Sequence, residues 1–245
     1  TASGIKLTRT DRGPAFAITD DPPNGGGEGA LADEAIATLR QFKKSSEPFF
    51  LAVGFHKPHL PFNVPKAYWD MYDAAKIPLA TNPFLPRDAP SYALVDKAEV
   101  WNYSFVPDTP HFPKDYARKM KHGYYAAVSY MDAQLGRVLD ELDVLGMRDN
   151  TVVILWGDHG WKLGEHDRWA KHSNVEVDTR SPLLISVPGM NAAGRKTDAL
   201  VEFVDIYPTL ADMAGLPLPK TLEGTSVTPL LADPQRQWKT TAFSQ

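Results

Sequence analysis

The sequence predicts an α/β fold, with a mostly parallel central sheet and helices on both faces. Three observations carry that expectation. Apolar runs at 49–55, 151–155 and 183–187 have the length and composition of buried strands. Helical patterns at 31–43, 115–145 and after Ile206 alternate with them, the order of an α/β sheet with covered faces. Two of the runs stop abruptly on polar, ligand-capable residues, where open α/β sheets bind ligands.

Taken in order, residues 1–29 are polar and interrupted by Asp21-Pro-Pro-Asn-Gly-Gly-Gly27, which predicts a loop or loosely attached arm. Leu31, Ala35, Leu39 and Phe42 recur at helical spacing and predict a short amphipathic helix through about Lys43. Ser46-Glu-Pro48 ends it. Residues 49–55, Phe-Phe-Leu-Ala-Val-Gly-Phe, read as a strand with His56-Lys57-Pro58-His59 at its carboxyl end. From Lys57 to Lys114 the chain carries ten of its 21 prolines, with aromatics between them. Continuous helix or sheet is hard to build there, so 57–114 is expected to be an ordered excursion forming a wall of the cleft. Residues 115–145 are the clearest helix: Met120, Tyr124, Val128, Met131, Leu135, Val138, Leu142 and Leu145 alternate by three and four. That stripe reads as core packing, with Gly146 as C-cap. Asp149-Asn150 turns the chain into the strand at 151–155. Pro188-Gly189 stops the strand at 183–187. Asp205 is expected to cap a helix from Ile206, with Pro208 tolerated in its first turn and Gly215 at its end.

A chain of 245 residues, 43% hydrophobic, is long enough for one sizeable α/β domain or two small ones. A formal charge of −4 without a long run of one sign argues against nucleic acid as partner. No apolar run reaches the roughly 18 residues of a spanning helix. With no cysteine, disulfides, thiolate zinc sites and cysteine nucleophiles are excluded within this segment. Thr1 opens the sequence without a signal peptide, and a processed or truncated chain is expected.

The densest chemistry lies at Trp156-Gly-Asp158-His159-Gly-Trp161-Lys-Leu-Gly-Glu165-His166, followed by Trp169-Ala-Lys171. The flanking glycines permit a sharp turn at the end of the strand. An adjacent carboxylate and imidazole there can hold a metal ion, and Lys171 can neutralise an anion bound to it, which points to hydrolysis of a phosphate or sulfate ester. A satisfied loop would use the same residues, Asp158 bonding backbone amides and His159 covering a strand end. The residues themselves leave both readings open.

Several segments, in shared order, resemble the sulfatases of the alkaline-phosphatase superfamily and, among them, the iduronate-2-sulfatase branch. They are Phe49-Phe-Leu-Ala-Val-Gly-Phe-His-Lys-Pro-His-Leu-Pro-Phe62, Tyr124-Tyr-Ala-Ala-Val-Ser-Tyr-Met-Asp132 and Asp158-His-Gly-Trp-Lys-Leu-Gly-Glu-His166 with Trp169-Ala-Lys171. Thr179-Arg-Ser-Pro-Leu183, Leu200-Val-Glu-Phe-Val-Asp-Ile-Tyr-Pro-Thr-Leu210 and Thr241-Ala-Phe-Ser-Gln245 complete the set. The resemblance implies that 1–245 is the central-to-C-terminal portion of a sulfatase catalytic domain, an incomplete fold of that type. It implies a sulfuric ester hydrolase of glycosaminoglycan degradation that removes an O-sulfate from a sulfated saccharide, with the 2-O-sulfate of an iduronate-type residue foremost. Asp158 and His159 would form the second half of a Ca²⁺ site, and Lys171 would contact the sulfate oxygens. His56 would lie near the sulfate and the leaving oxygen, donating a proton to the sugar hydroxyl or bonding the sulfate as imidazolium. Trp161 would stack on a sugar face or plug the cleft floor, and His172 would face substrate or solvent. His59, Glu165, His166 and Arg180 receive no chemical role.

Sulfatases also carry a formylglycine made within Cys/Ser-X-Pro-Ser-Arg, and neither version occurs here; Ser186-Val-Pro-Gly-Met190 is the nearest approach. The resemblance therefore places the formylglycine and the remaining calcium ligands in a missing N-terminal part, an N-terminal chain of the same precursor being the implied partner. The isolated fragment is expected to be inactive, and the location extracytoplasmic by family habit. Two rivals remain: a phosphoesterase of the same superfamily, which would carry more metal-binding Asp and His, and a non-catalytic fragment that binds sulfated glycans.

Overall fold

The computed structural model describes residues 5–45, 47–94, 99–190 and 193–244. Its elements, in order, are β1 (Phe16–Thr19), α1 (Gly26–Phe42), β2 (Phe62–Pro65), α2 (Lys66–Trp69), α3 (Lys114–Val144) and β3 (Val153–Trp156). There follow β4 (Lys162–Leu163), β5 (Trp169–Ala170), α4 (Glu176–Thr179), β6 (Leu183–Ser186), α5 (Ile206–Met213) and α6 (Thr228–Ala232). They divide into two compact units, Thr1–Met147 with His159–Arg180, and Arg148–Asp158 with Ser181–Gln245.

The first unit is organised by α3, which matches the helix expected at 115–145. It ends at Gly146, φ +62°, where the amides of Gly146 and Met147 return to the carbonyls of Asp143 and Leu142. The buried face is wider than the apolar stripe, however. Met120, Val138 and Leu142 are buried, but Val128 is exposed, and Gly123, Ala127 and Gln134 are buried as well. Close packing is the reason: a Cβ at Gly123 would stand 3.1 Å from Phe62 Cβ and 3.3 Å from Phe16 Cβ. Gln134 is admitted because its amide donates to Pro23 O and Tyr68 Oη, both at 3.2 Å, and accepts from Arg137 Nη1 at 2.9 Å. Arg40 of α1 grips Glu141 of α3 in a fork, Nε to Oε1 at 2.8 Å and Nη2 to Oε2 at 3.0 Å.

Two expectations for this unit need correction. Apart from residues 1–4, which lie outside the described residues, the first 29 are not all loop: Phe16–Thr19 pairs in parallel with Phe62–Pro65, and α1 begins at Gly26. The short apolar run around Phe16 is long enough for one ladder although turn residues flank it on both sides. Residues 49–55, in contrast, are extended with alternating exposure but join no ladder among the described residues. An extended segment becomes sheet only beside a hydrogen-bonding neighbour, and Phe50 is left 76% exposed. The proline-rich stretch at 57–114, apart from 95–98 outside the described residues, has little regular structure. It holds β2, α2 and short 3₁₀ turns, and buries Leu60, Phe62, Val64, Tyr68, Val100, Tyr103 and Val106.

In the second unit the two apolar runs are strands as expected, but β3 and β6 pair antiparallel and not in the parallel sense foreseen, Val153 opposite Ser186 through Trp156 opposite Leu183. α5 ends before Gly215, φ +66°. Asp205 does not cap α5 with its side chain; it is itself helical. Its carboxylate accepts the amides of Glu202 at 2.9 Å and Thr225 at 2.7 Å, and pairs with Lys239 at 2.8 Å. Among the described residues the α/β composition thus appears as helices with three two-stranded ladders, β1–β2 parallel and the others antiparallel. No described helix is long and apolar enough to cross a membrane.

Candidate functional site

The site begins with the turn at 56–59. The His59 amide donates to His56 O at 3.0 Å, which brings the two imidazoles within 4.9 Å, centroid to centroid. Glu28, buried in the first turn of α1, accepts from the amides of His56 at 3.0 Å and Lys57 at 3.3 Å. Charge-assisted bonds to two successive amides fix this otherwise irregular backbone. Lys57 Nζ donates to Pro61 O at 2.9 Å. Burial holds the Lys57 ammonium below the ordinary lysine range, with Glu28 opposing that shift.

Opposite this turn stands a small hairpin. β4 and β5 pair antiparallel, Lys162 opposite Ala170 and Leu163 opposite Trp169. One step outward, Trp161 and Lys171 leave the ladder at the same end. Their side chains meet: Lys171 Nζ lies 5.0 Å from the Trp161 ring centroid, a cation–π distance. The connecting backbone is strained, with positive φ at His166 (54°), Asp167 (56°), Ala170 (121°) and His172 (75°), a concentration typical of functional sites.

Beneath the hairpin lies a buried ion pair. Lys162 and Asp178 are in direct contact, their side chains 2% and 3% exposed. Asp178 also accepts from the Ser173 amide at 3.1 Å and the Ser173 hydroxyl at 2.6 Å. Burial pulls the Lys162 ammonium below its ordinary range, while Asp178 pulls it up. Gly160 completes the brace. A Cβ there would fall 1.9 Å from Val177 O, and its amide donates to Asp178 O at 2.7 Å. The glycine after His159 thus serves close backbone approach, beside a chain bend at Asp158.

Around Trp161 the parts converge. Its ring lies 6.0 Å from His59 and 6.2 Å from His159. Glu99 bridges the two sides, Oε1 at 3.5 Å from His59 Nε2 and Oε2 at 3.4 Å from Lys171 Nζ. His159 Nδ1 donates to Gly160 O at 2.7 Å, because a carbonyl can only accept. In a neutral imidazole this leaves the lone pair on Nε2, the arrangement in which metal-binding histidines are held.

Of the residues expected from sequence, His56, His159, Trp161 and Lys171 all belong to the first unit and gather through these contacts. His172 is exposed and takes no part in the ring contacts among the described residues. Asp158 is exposed and lies in the second unit, joined to His159 by the peptide bond. Glu28, Glu99 and the Lys162–Asp178 brace escaped the sequence reading, and His59 had no role in it. Glu28 and Glu99 carry no sequence signal, since the residues they hold are remote in the chain.

The fold is shared with known hydrolases. Phosphonate monoester hydrolase of Agrobacterium radiobacter matches with a TM-score of 0.78 and 26% identity, over 94% of this chain and 47% of that one. Residues 10–216 match the family model described as Sulfatase, and the chain belongs to the sulfatase family. It is 42% identical to iduronate 2-sulfatase of Mus musculus and 39% identical to that of Homo sapiens. Each match covers 78% of this chain and 41% of the relative, so the chain spans about two-fifths of the length of these proteins.

Sulfatases use a divalent metal and a formylglycine. The formylglycine does not fit the residues present, because the chain lacks both versions of its motif. The metal fits in part. Among the described residues no three His, Cys, Asp or Glu side chains converge as a cage. His159 and Asp158, adjacent in sequence, are donor types that such an ion accepts. Two donors are a fraction of the six to eight that Ca²⁺ takes.

Proposed function

We propose that the protein acts in hydrolysis of an O-sulfate ester on a saccharide, with the 2-O-sulfate of an iduronate-type sugar as substrate. The observation that carries this reading is the Lys171 ammonium on the Trp161 ring, ringed by His56, His59 and His159, in a chain of the sulfatase family. The 42% identity to an iduronate 2-sulfatase supports the choice of sugar.

In this reading Lys171 offsets the charge of the sulfate, in the bound ester and more strongly as charge develops in the transition state. The His56 imidazole hands a proton to the departing sugar oxygen. Trp161 offers one face to the sugar ring while Lys171 lies over the other. His172 stands exposed one residue beyond Lys171, in reach of more distant parts of the saccharide. Asp158 and His159, the latter through Nε2, are the donors this chain would give to a Ca²⁺ ion, whose charge would steady the sulfate oxygens. A formylglycine from outside these residues, in an N-terminal segment of the same precursor, would supply the nucleophile.

The test is sulfate release from an iduronate 2-sulfate disaccharide by the whole protein. Lys171→Ala should lower turnover by about a hundredfold or more, the scale of losing one charge-stabilising donor. Near-normal turnover would remove Lys171 from the mechanism. One observation favours a second reading, the likeness to a phosphonate monoester hydrolase at 26% identity. Paired aryl sulfate, phosphate and phosphonate esters separate the two, since the sulfatase reading requires sulfate to be released fastest.

A further inference from the structure

We propose that Glu99 is a positioning residue for Lys171: its carboxylate holds the ammonium over Trp161, beside His59. The proposal rests on the reading of Lys171 as the cation that meets the substrate anion.

Lysine brings a point charge on a flexible four-carbon stem, so its position is decided by whatever partner restrains it. Glu99 is such a partner, its oxygens 3.4 Å from Lys171 Nζ and 3.5 Å from His59 Nε2. The side chains of Lys171 and Glu99 are only 15% and 18% exposed, so water and salt screen the pair weakly. Glu99 is itself well anchored. It opens the 3₁₀ turn Glu99–Asn102, which packs beside β5, the strand leading directly into Lys171. Val100, the next residue, is fully buried, and Trp101 Nε1 donates to Pro107 O at 3.2 Å.

The donor inventory leaves room for substrate. An ammonium has three N–H groups. The ion pair with Glu99 restrains the head on one side, and N–H groups remain for an incoming anion. His59 Nδ1 donates to Leu60 O at 2.7 Å, so Nε2, 3.5 Å from Glu99, pairs with that carboxylate only in the imidazolium form. A single carboxylate therefore stands between the His56–His59 turn and the Trp161–Lys171 hairpin, paired with the lysine.

Two measurements test this on Glu99→Gln and Glu99→Asp, each first shown to keep the parental urea midpoint. In the 245-residue chain, acylation of Lys171 by acetic anhydride is read by peptide mass spectrometry. Glu99→Gln should raise that labelling several-fold, and Glu99→Asp should restore part of the protection. In the whole protein, Glu99→Gln should lower kcat/KM about tenfold to a hundredfold, the cost of misplacing a group by roughly an ångström. Most of that loss should fall on kcat, with partial rescue by Glu99→Asp. In a Lys171→Ala background Glu99→Gln should cost nothing more, whereas a merely structural role would cost the same again.

Unchanged labelling overturns the proposal whatever the chemistry. Raised labelling with unchanged hydrolysis also overturns it, while the sulfatase reading survives through Lys171→Ala. A whole protein that releases no sulfate, or whose Lys171→Ala form is normal, refutes the functional reading, and labelling alone then decides whether Glu99 holds Lys171.

Discussion

Replacing Lys162 with methionine removes the cation from a carboxylate that is 3% exposed. Asp178 would keep the Ser173 amide and hydroxyl as donors. Its Oδ1 has no hydrogen-bond partner already, so the charge would be poorly compensated in a dry setting. Breaking a buried pair by deleting one partner costs roughly 3–5 kcal/mol, most of it the stranded charge. With a urea slope of about 2 kcal/mol per molar, 4 kcal/mol lowers the unfolding midpoint by about 2 M. Adding Asp178→Asn should recover more than half of that, because a neutral amide still accepts the Ser173 amide and strands no charge. The assay is urea unfolding followed by tryptophan fluorescence, on both single variants and the double variant. Additive single-variant losses would refute the reasoning, as would a Lys162→Met shift under about 0.5 M, which is what a solvent-screened pair gives.

Three further outcomes follow from the same geometry. Gly160→Ala forces a Cβ to within 1.9 Å of Val177 O, so the hairpin must shift; amide exchange at 160–171 should accelerate by orders of magnitude, and parental protection would contradict the close approach. Phe62→Ala, at a fully buried position against α3, should cost about 3–5 kcal/mol in urea unfolding, whereas under about 1 kcal/mol would mean that the helix collapses onto the space. Glu141, Glu202 and Asp212 are all held below their ordinary values of 4.5, 4.5 and 3.8, led by the Arg40 fork, the Phe243 amide and the Ser226 hydroxyl in turn. A carboxyl lowered in the folded state adds stability that is complete above its ordinary value and lost as pH falls through the lower folded value. Urea midpoints should hold down to about pH 5 and then fall, with a shallower fall in Glu141→Gln; an equally steep fall in that variant would exclude the fork.

What the sequence made legible was local. The helix at 115–145, the strands at 151–155 and 183–187 and the Gly146 and Gly215 stops depend on neighbours within a few residues, and they stand where the pattern puts them. The strand expected at 49–55 depends on a ladder partner that an apolar run cannot supply for itself. The α3 stripe went wrong at Val128 and Gln134 for a related reason. Which helical face is buried is decided by how closely a strand can approach, and Gly123 against Phe62 set that closeness.

The candidate site divides along the same line. His56, His159, Trp161 and Lys171 announce themselves because imidazole, indole and ammonium groups are clustered at the ends of apolar segments. The residues that hold them do not. Lys162 reads in sequence as a surface charge beside Trp161, yet it is buried because Asp178 returns sixteen residues later to meet it. Glu28 reads as one acid in a polar arm, and Glu99 as one charge in a proline-rich stretch; each becomes a tether only when the fold brings a remote turn against it. A single carboxylate costs little sequence information and leaves no periodicity, whereas its effect on a flexible lysine or an irregular turn is large because few other restraints act there. The chemistry of this site was therefore readable before its geometry, and the residues that fix the geometry are the buried or half-buried charges whose partners lie far along the chain.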